Sequence, residues 1–348
     1  PSPPCAGSTS IQPWSQPGWV QVSVSSWGWR MCSQQVGHTL CGEEGVVVPL
    51  MGGATVAVAG EEHVLTGRPN VFAGPTDTLY APAGSELTIT NPGSAPARVA
   101  LCGARVEDPT GGGREVVLVP ADRVPVELRG AGTCSREVRG FGMPDTLVEA
   151  EQILACEVIT PAGGWSSYPP HKHDTDRPGQ ESELEEIYYF EAAPARGLAA
   201  GSVPEDADAF GSFVTYSSAA GEIDTNALVR TGDIALVPYG YHGPAMAAPE
   251  YDLYYLNVMA GPRRAWRFQN HPDHDWIARR DAGGQVPDSP LYPGARAALE
   301  RLETDLAKRG LFGRAPEVTG VYLWGPPGRG KSMLMDLFFA ASPEPRKL

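Results

Sequence analysis

The sequence predicts an all-β protein of two consecutive β-barrels, with a short α/β fragment at its C-terminal end. Three observations carry that prediction. Glycine and proline account for 41 and 34 of 348 residues and are spread along the whole chain, which favours short strands and tight turns over long helices. Short apolar or alternating runs recur at close intervals from Trp19 to Val124 and again from Ile153, the spacing of a sandwich or small barrel. From Tyr292 onward the pattern changes to an amphipathic helix, an apolar strand and a glycine-rich loop, which is α/β grammar.

Taken in order, residues 1–18 are rich in Pro, Ser and Gly without a hydrophobic period and are expected to form a disordered lead-in. Residues 19–124 read as the first barrel. Its strands include GVVVPL at 45–50, ATVAVA at 54–59, ELTIT at 86–90 and ARVAL at 97–101, with turns at Gly52-Gly53, Gly60-Glu61-Glu62 and Asn91-Pro92-Gly93. The stretch from Val71 to Pro82 carries no histidine, and His38 and His63 stand alone. This barrel is therefore expected to hold no metal and to act as a packing partner or wall. Residues 125–152 are expected to connect the halves, and 153–285 to form the second barrel, opening with ACEVIT at 155–160. Residues 210–216 and 223–231 add strands around an AAGE hairpin, and the aromatic, β-branched run 251–258 adds another.

The second barrel contains the stretch on which function turns, WSSYPPHKHDTDRPGQESELEEIYYF at 165–190. His171 and His173 lie two positions apart, so their imidazoles share one side of an extended strand. After a loop broken by Pro178 and Gly179, the run from Leu184 to Phe190 offers a carboxylate on either face, Glu185 or Glu186. Residues 232–238 read as a turn and a buried strand, and Tyr239 to His242 as the tight turn that supplies a further imidazole. Three imidazoles and a carboxylate suit a borderline divalent cation, Zn²⁺, Mn²⁺, Fe²⁺ or Ni²⁺, without choosing among them. Arginines 263, 264 and 267 beside Trp266 and Phe268 mark a place where a carboxylate could be gripped in bidentate fashion. His271 and His274 read as parts of a capped turn in preference to a second metal or acid/base pair.

The two histidine-bearing units resemble the metal-binding motifs of the cupin superfamily, which makes the expected architecture a bicupin. The wording YPPHKHD, ESELEEIYYF, LVPYGYH, YDLYYLNVMAG and AWRFQN resembles, more closely, the bacterial 5-deoxy-glucuronate isomerases of myo-inositol catabolism, over roughly Gly18 to Ala282. That resemblance implies a metal held by His171, His173, Glu186 and His242, with Glu186 preferred to Glu185 because it directly precedes the Ile-Tyr-Tyr-Phe run. It also implies a metal-dependent aldose-ketose isomerase that converts 5-deoxy-D-glucuronate to 5-dehydro-2-deoxy-D-gluconate. The metal would chelate the C1 carbonyl and C2 hydroxyl while a base and an acid move the proton. Glu185, Glu183 and Tyr254 or Tyr255 are candidates for the proton transfer, and Arg264 for the uronate carboxylate. A cupin dioxygenase or epimerase, or a sugar-binding cupin without turnover, stands as the competing expectation.

A net charge of -14 argues against a nucleic-acid partner, which needs a basic face. No segment is apolar over the length of a membrane span, and the first residues lack the design of a signal peptide, so a cytoplasmic protein with a small-molecule substrate is expected, with a homo-oligomer left open. The six cysteines, at 5, 32, 41, 102, 134 and 156, form no C-x-x-C pair and read as reduced thiols. The last segment, 286–348, holds VYLWGPPGRGKSMLMDLFF, a strand, a G-x4-G-K-S phosphate loop from Gly325 to Ser332 and a helix. It resembles the start of the AFG1-like ATPase family. Without a Walker B acid or the remaining sheet, it is expected to hydrolyse no nucleotide and to be a truncated fusion or gene-prediction product, with a regulatory nucleotide sensor as the alternative.

Overall fold

A computed structural model describes residues 7–11, 20–27, 35–93, 95–198, 202–204 and 206–282. The phosphate loop, Cys5 and Cys32 lie outside these described residues. The first half is organised by one long strand, Glu43–Val58, which pairs with Ala97–Arg105, Thr78–Ala81, Glu61–Arg68 and Glu86–Thr90. Its register shifts between Pro49 and Met51 on one edge and between Gly52 and Ala54 on the other. An irregularity of that kind bends a strand, and Pro49 and the left-handed Gly52 (φ 71°) are residues that tolerate it. One segment can thereby serve both walls of a barrel. The barrel's interior is aliphatic, filled by residues such as Leu40, Val56, Leu65, Leu79, Leu87 and Ile89.

The lead-in expected to be disordered contains a strand. Gly7–Ile11 pairs antiparallel with Val20–Trp27, which in turn pairs with Ala97–Arg105. A composition averaged over eighteen residues conceals a five-residue segment that alternates Ser with Thr and Ile.

The second half comprises two facing sheets. One runs Val126–Arg129, Arg136–Arg139, Leu154–Thr160, Tyr251–Ala260, Glu185–Pro194, Ile234–Val237. The other runs Thr225–Val229, Gly211–Tyr216, Tyr241–Ala247, His171–Lys172, Gln269–Asn270. The stretch 125–152, read as a connection, thus supplies the first two strands of the second half.

Strand alternation decides what each half sees. Cys156, Val158, Tyr188, Phe190, Leu253 and Tyr255 point between the two sheets. Their sequence neighbours Ala155, Ile159, Ile187, Tyr189, Tyr254 and Leu256 point the other way, into a core shared with Val46, Val48, Tyr80 and Cys102 of the first half. Each large side chain so buried stabilises the fold by about 1.5–3 kcal/mol. Charges are buried at the same junction. The Glu157 carboxylate accepts from Arg68 (Nη1 to Oε2 3.0 Å) and from the Tyr254 hydroxyl (2.7 Å), with Arg139 Nη1 3.6 Å away. Glu44 accepts from the backbone N–H groups of Glu151, Gln152 and Ile153 and from the Tyr80 hydroxyl. Removing one member of such a group leaves an uncompensated buried charge. Cys102, Cys134 and Cys156 are buried and Cys41 is exposed, all four as free thiols. No helix among the described residues is long and apolar enough to cross a membrane.

Candidate metal centre

His171 opens a two-residue strand and is the register partner of His242, the second residue of Tyr241–Ala247. The sequence placed His242 in a turn; the turn ends two residues earlier, at Gly240, whose φ of 91° is left-handed. His173 follows on the side shared with His171, as the two-residue spacing requires. One ring nitrogen from each of the three imidazoles lies within 4.8 Å of the others. Glu186 reaches in from the opposite sheet. Its Oε2 stands 3.1 Å from His173 Nε2 and 2.8 Å from His242 Nε2.

The tautomers follow from hydrogen bonding. His173 Nδ1 is 3.0 Å from the Leu184 carbonyl and His242 Nδ1 is 3.2 Å from the Gly240 carbonyl. A carbonyl only accepts, so both Nδ1 atoms carry hydrogen and, in the neutral rings, both Nε2 lone pairs face the Glu186 carboxylate. The His242 Nε2, fully buried, makes no hydrogen bond. Two lone pairs against an anion are unfavourable unless a cation lies between them, and Nδ1–H held by a backbone carbonyl is how metal-ligating histidines are oriented. The donor set therefore fits a divalent cation.

Electrostatics agrees. Burial would raise the Glu186 carboxyl, but positive charge at the His242 and His173 imidazoles holds it well below the carboxylate range, so it is ionised where a proton or a cation sits at those nitrogens. Burial, with His242 and His173 nearby, pushes His171 well below the ordinary imidazole value and keeps it neutral. His173 is opposite in sign: burial lowers it, but the Glu186 hydrogen bond and charge prevail and raise it. A proton and a metal thus compete for His173 Nε2.

The two histidine segments are tied together behind the site. Lys172, between the two imidazoles, donates to Asp174 and to Glu181 (2.6 Å). The other oxygen of Asp174 accepts from Ser218 and from the Gly240 backbone N–H (2.9 Å), two residues before His242. Asp174 stays ionised because hydrogen bonds from Lys172, Ser218 and Gly240 overcome the effect of burial.

Beside the centre lies a cavity of about 260 Å³, whose lining includes His171, Tyr168, Tyr188, Tyr255, Phe268 and the guanidinium-bearing pair Arg129 and Arg136. His171, 9% exposed against 2% and 0% for His173 and His242, is the imidazole that faces it. Burial raises the Tyr255 hydroxyl to about 12, against hydrogen bonds with Ser166 and Ser167, and raises Tyr188 well above its usual value. Both are protonated acids at neutral pH.

Three residues expected to be catalytic are directed elsewhere. Glu185 precedes Glu186 in the strand, and alternation turns it to the opposite face. The Tyr254 hydroxyl donates to Glu157 in the junction between the halves, and it is Tyr255 that borders the cavity. Arg264 is spent on backbone: Nε donates to the Ile153 carbonyl (2.8 Å) and Nη2 to that of Gly142 (3.2 Å). Glu183 is exposed. Arg129 and Arg136, which sequence reasoning missed, come from the stretch read as a connection; the alternation of VELR and REVR around RGAGTCSR is the signal that marks them as strand ends. His271 and His274 form the turn expected: the His274 N–H donates to the His271 carbonyl (3.0 Å), leading into the helix Asp275–Ala282. His38 pairs with Glu43 at 3.2 Å, as a structural histidine does.

Two antiparallel β-barrels, one filled with aliphatic side chains and one holding a cluster of imidazoles and a carboxylate, define a bicupin. Residues 10–277 match the KduI/IolB family, and the chain belongs to it. It is 39% identical over 269 residues to a protein named 5-deoxy-glucuronate isomerase from Geobacillus kaustophilus (strain HTA426), covering 74% of this chain and 90% of that one. It is likewise 39% identical over 247 residues to a protein of the same name from Shouchella clausii (strain KSM-K16), covering 70% and 83%. The crystal structure of an IolB-like protein from Salmonella typhimurium LT2 superposes with a TM-score of 0.66 at 31% identity, over 78% of this chain and 94% of that one. Residues 292–348, outside the described residues, match the AFG1-like ATPase family.

Proposed function

We propose that the chain is a metal-dependent aldose-ketose isomerase that converts 5-deoxy-D-glucuronate to 5-dehydro-2-deoxy-D-gluconate in inositol catabolism, with His171, His173, Glu186 and His242 as the metal ligands. The observation that carries this reading is the pair of Nε2 lone pairs, from His173 and His242, converging on Oε2 of ionised Glu186. The names of the family relatives supply the substrate. A bound divalent ion supplies Lewis acidity, polarising the C1 carbonyl and acidifying the proton on C2.

The chain's own residues do the rest. Leu184 and Gly240 fix the rings of His173 and His242 through their carbonyls, and neutral His171 opens toward the cavity in which the sugar would lie. Tyr188 and Tyr255, protonated at neutral pH, can donate to negative charge developing on substrate oxygen. Aromatic faces from Tyr168 and Phe268 exclude water from the reacting end. The same reading sets the enzyme in the cytoplasm, in keeping with four free thiols among the described residues.

Metal content measured by plasma mass spectrometry on wild type and on His171→Ala, with turnover followed by NMR in D₂O, tests the assignment. The expected result is one metal per chain, lost together with activity in the variant, and deuterium at C1 of the product. A folded wild-type protein that takes up no metal would sink it.

A further inference from the structure

The cavity beside the imidazoles has a charge that the chain as a whole does not. The protein carries a net charge of -14, yet among the described residues that line this cavity there are two arginines and no aspartate or glutamate. The arginines are not scattered. Arg129 ends the strand Val126–Arg129, Arg136 begins Arg136–Arg139, and the two are register partners directly across the hairpin. Like charges in directly opposed positions on paired strands destabilise a sheet. Glu127, which accepts from Arg129, relieves part of that repulsion, and an anion held between the two guanidinium groups would relieve more.

Each guanidinium is held in position. Arg129 lies over the indole of Trp266, 5.3 Å from its centroid, and its Nε donates to Glu127 at 2.7 Å. Arg136 Nη1 donates to the Cys134 carbonyl at 3.2 Å and lies against Gly130. Gly130 has φ of 79°, and a Cβ there would come within 2.5 Å of that nitrogen. Glycine is required there for the left-handed turn and for the close approach of the Cys134 carbonyl, 2.2 Å from where a Cβ would stand. The charge of Arg136 also reaches the hydroxyl of Tyr255 on the same cavity wall.

We propose that Arg129 and Arg136 form the carboxylate-binding subsite of this cavity, gripping the acid end of a sugar acid whose carbonyl end faces His171. The planar, forked guanidinium matches a carboxylate in bidentate fashion, which an ammonium cannot. The ligand class is an open-chain or cyclic aldose bearing a terminal carboxylate, in preference to the aldose with a hydroxymethyl group there. The subsite rests on the isomerase reading for the identity of that sugar, and its location replaces Arg264, whose guanidinium is committed to the carbonyls of Ile153 and Gly142.

The test is calorimetric titration of the metal-loaded protein with 5-deoxy-D-glucuronate and with 5-deoxy-D-glucose, its neutral counterpart, for wild type, Arg136→Gln, Arg129→Gln and Arg136→Lys. Losing one charged hydrogen-bonding partner is expected to weaken uronate binding about ten- to a hundredfold. Binding of the neutral sugar should stay within about twofold, and Arg136→Lys should recover part of the loss. Metal content, measured on the same samples, reports that the variants are folded around their centre, and Arg129→Gln serves if Arg136→Gln does not fold. A wild-type protein that binds the uronate no better than the neutral sugar overturns the subsite, as do glutamine variants that bind the two sugars as wild type does. Turnover in the same samples separates the two readings: uronate bound through Arg136 with no product formed leaves the subsite standing and removes the isomerase.

Discussion

The two barrels are built from the same kind of strand and filled differently. Leu40, Val56, Leu65, Leu79, Leu87 and Ile89 close the first on itself, whereas the second gives up interior volume to His171, His173, His242 and Glu186 and surrounds them with Tyr188, Phe213 and Tyr255. An aliphatic interior stabilises at no electrostatic cost. A cluster of imidazoles around an ionised carboxylate does not, because every buried polar atom there must find a partner. The difference teaches that the first barrel devotes its whole interior to stability, whereas the second, as the bearer of chemistry, divides its interior between an apolar core and the polar cluster. The junction, with apolar side chains and buried charges from both halves, is where that stability is transmitted.

If the halves divide chemistry and stability in this way, substitutions should sort by barrel. The largest effect belongs to His242→Ala, expected to release the metal and lower turnover by about a thousandfold or more; plasma mass spectrometry and NMR read both, and metal retained at one per chain would break the division. Next comes the junction. Glu157→Gln leaves Arg68 buried without its anion, while Arg139 keeps Glu137, and is expected to destabilise by about 3–5 kcal/mol, seen as one shifted thermal transition; two separate transitions would show that the halves unfold independently.

The same carboxylate predicts a pH dependence. Although burial would raise it, Arg68, Arg139 and Tyr254 hold Glu157 below its ordinary value of 4.5. A group depressed in the folded state contributes stability above its unfolded pKa and loses it as pH falls through the folded one. Wild type should therefore lose stability progressively below about pH 4.5, by a component that calorimetry finds missing from Glu157→Gln.

Leu79→Ala in the first barrel is expected to cost about 2–5 kcal/mol with metal stoichiometry unchanged. Loss of metal from this variant would mean that the first barrel shapes the centre directly. A finer distinction is offered by Asp174→Asn, which weakens the link from Lys172 to Gly240 behind the histidines. Competition titration with a chelator should show metal bound about 10- to 100-fold more weakly in a protein of near-native melting temperature. Arg263→Gln, at an exposed ion pair with Asp176, should change neither melting temperature nor metal affinity measurably.

Much of the centre was legible because it rests on periodicity. An H-x-H pair in an extended segment has one geometry, and a strand with two adjacent carboxylates must put one of them inside. The same periodicity misleads by a single step: Tyr254 and Tyr255 differ only in parity, and the first faces Glu157 while the second faces the cavity. Arg264 misled for another reason, since its neighbours Trp266 and Phe268 do border the cavity but a long side chain in the bend between two strands can turn back to the backbone. Arg129 and Arg136 became visible only once the hairpin was seen to join the second barrel's sheet, a long-range pairing that no local pattern encodes. The strand Gly7–Ile11 was missed because Pro and Ser dominate its surroundings.

The alternation of the strand Glu185–Pro194, with Tyr188 and Phe190 turned inward and Ile187 and Tyr189 turned toward the first half, makes the catalytic half adhesive when alone. A fragment begun at Val126 would present Ile187, Tyr189, Tyr254, Leu256 and Val258 to solvent as one continuous greasy surface, together with a Glu157 that has lost Arg68 as its partner. Such a fragment would precipitate or pair with itself before it could serve as an enzyme. The first barrel therefore acts as a permanently tethered solubilising partner, and this fold cannot be minimised to the part that performs the reaction.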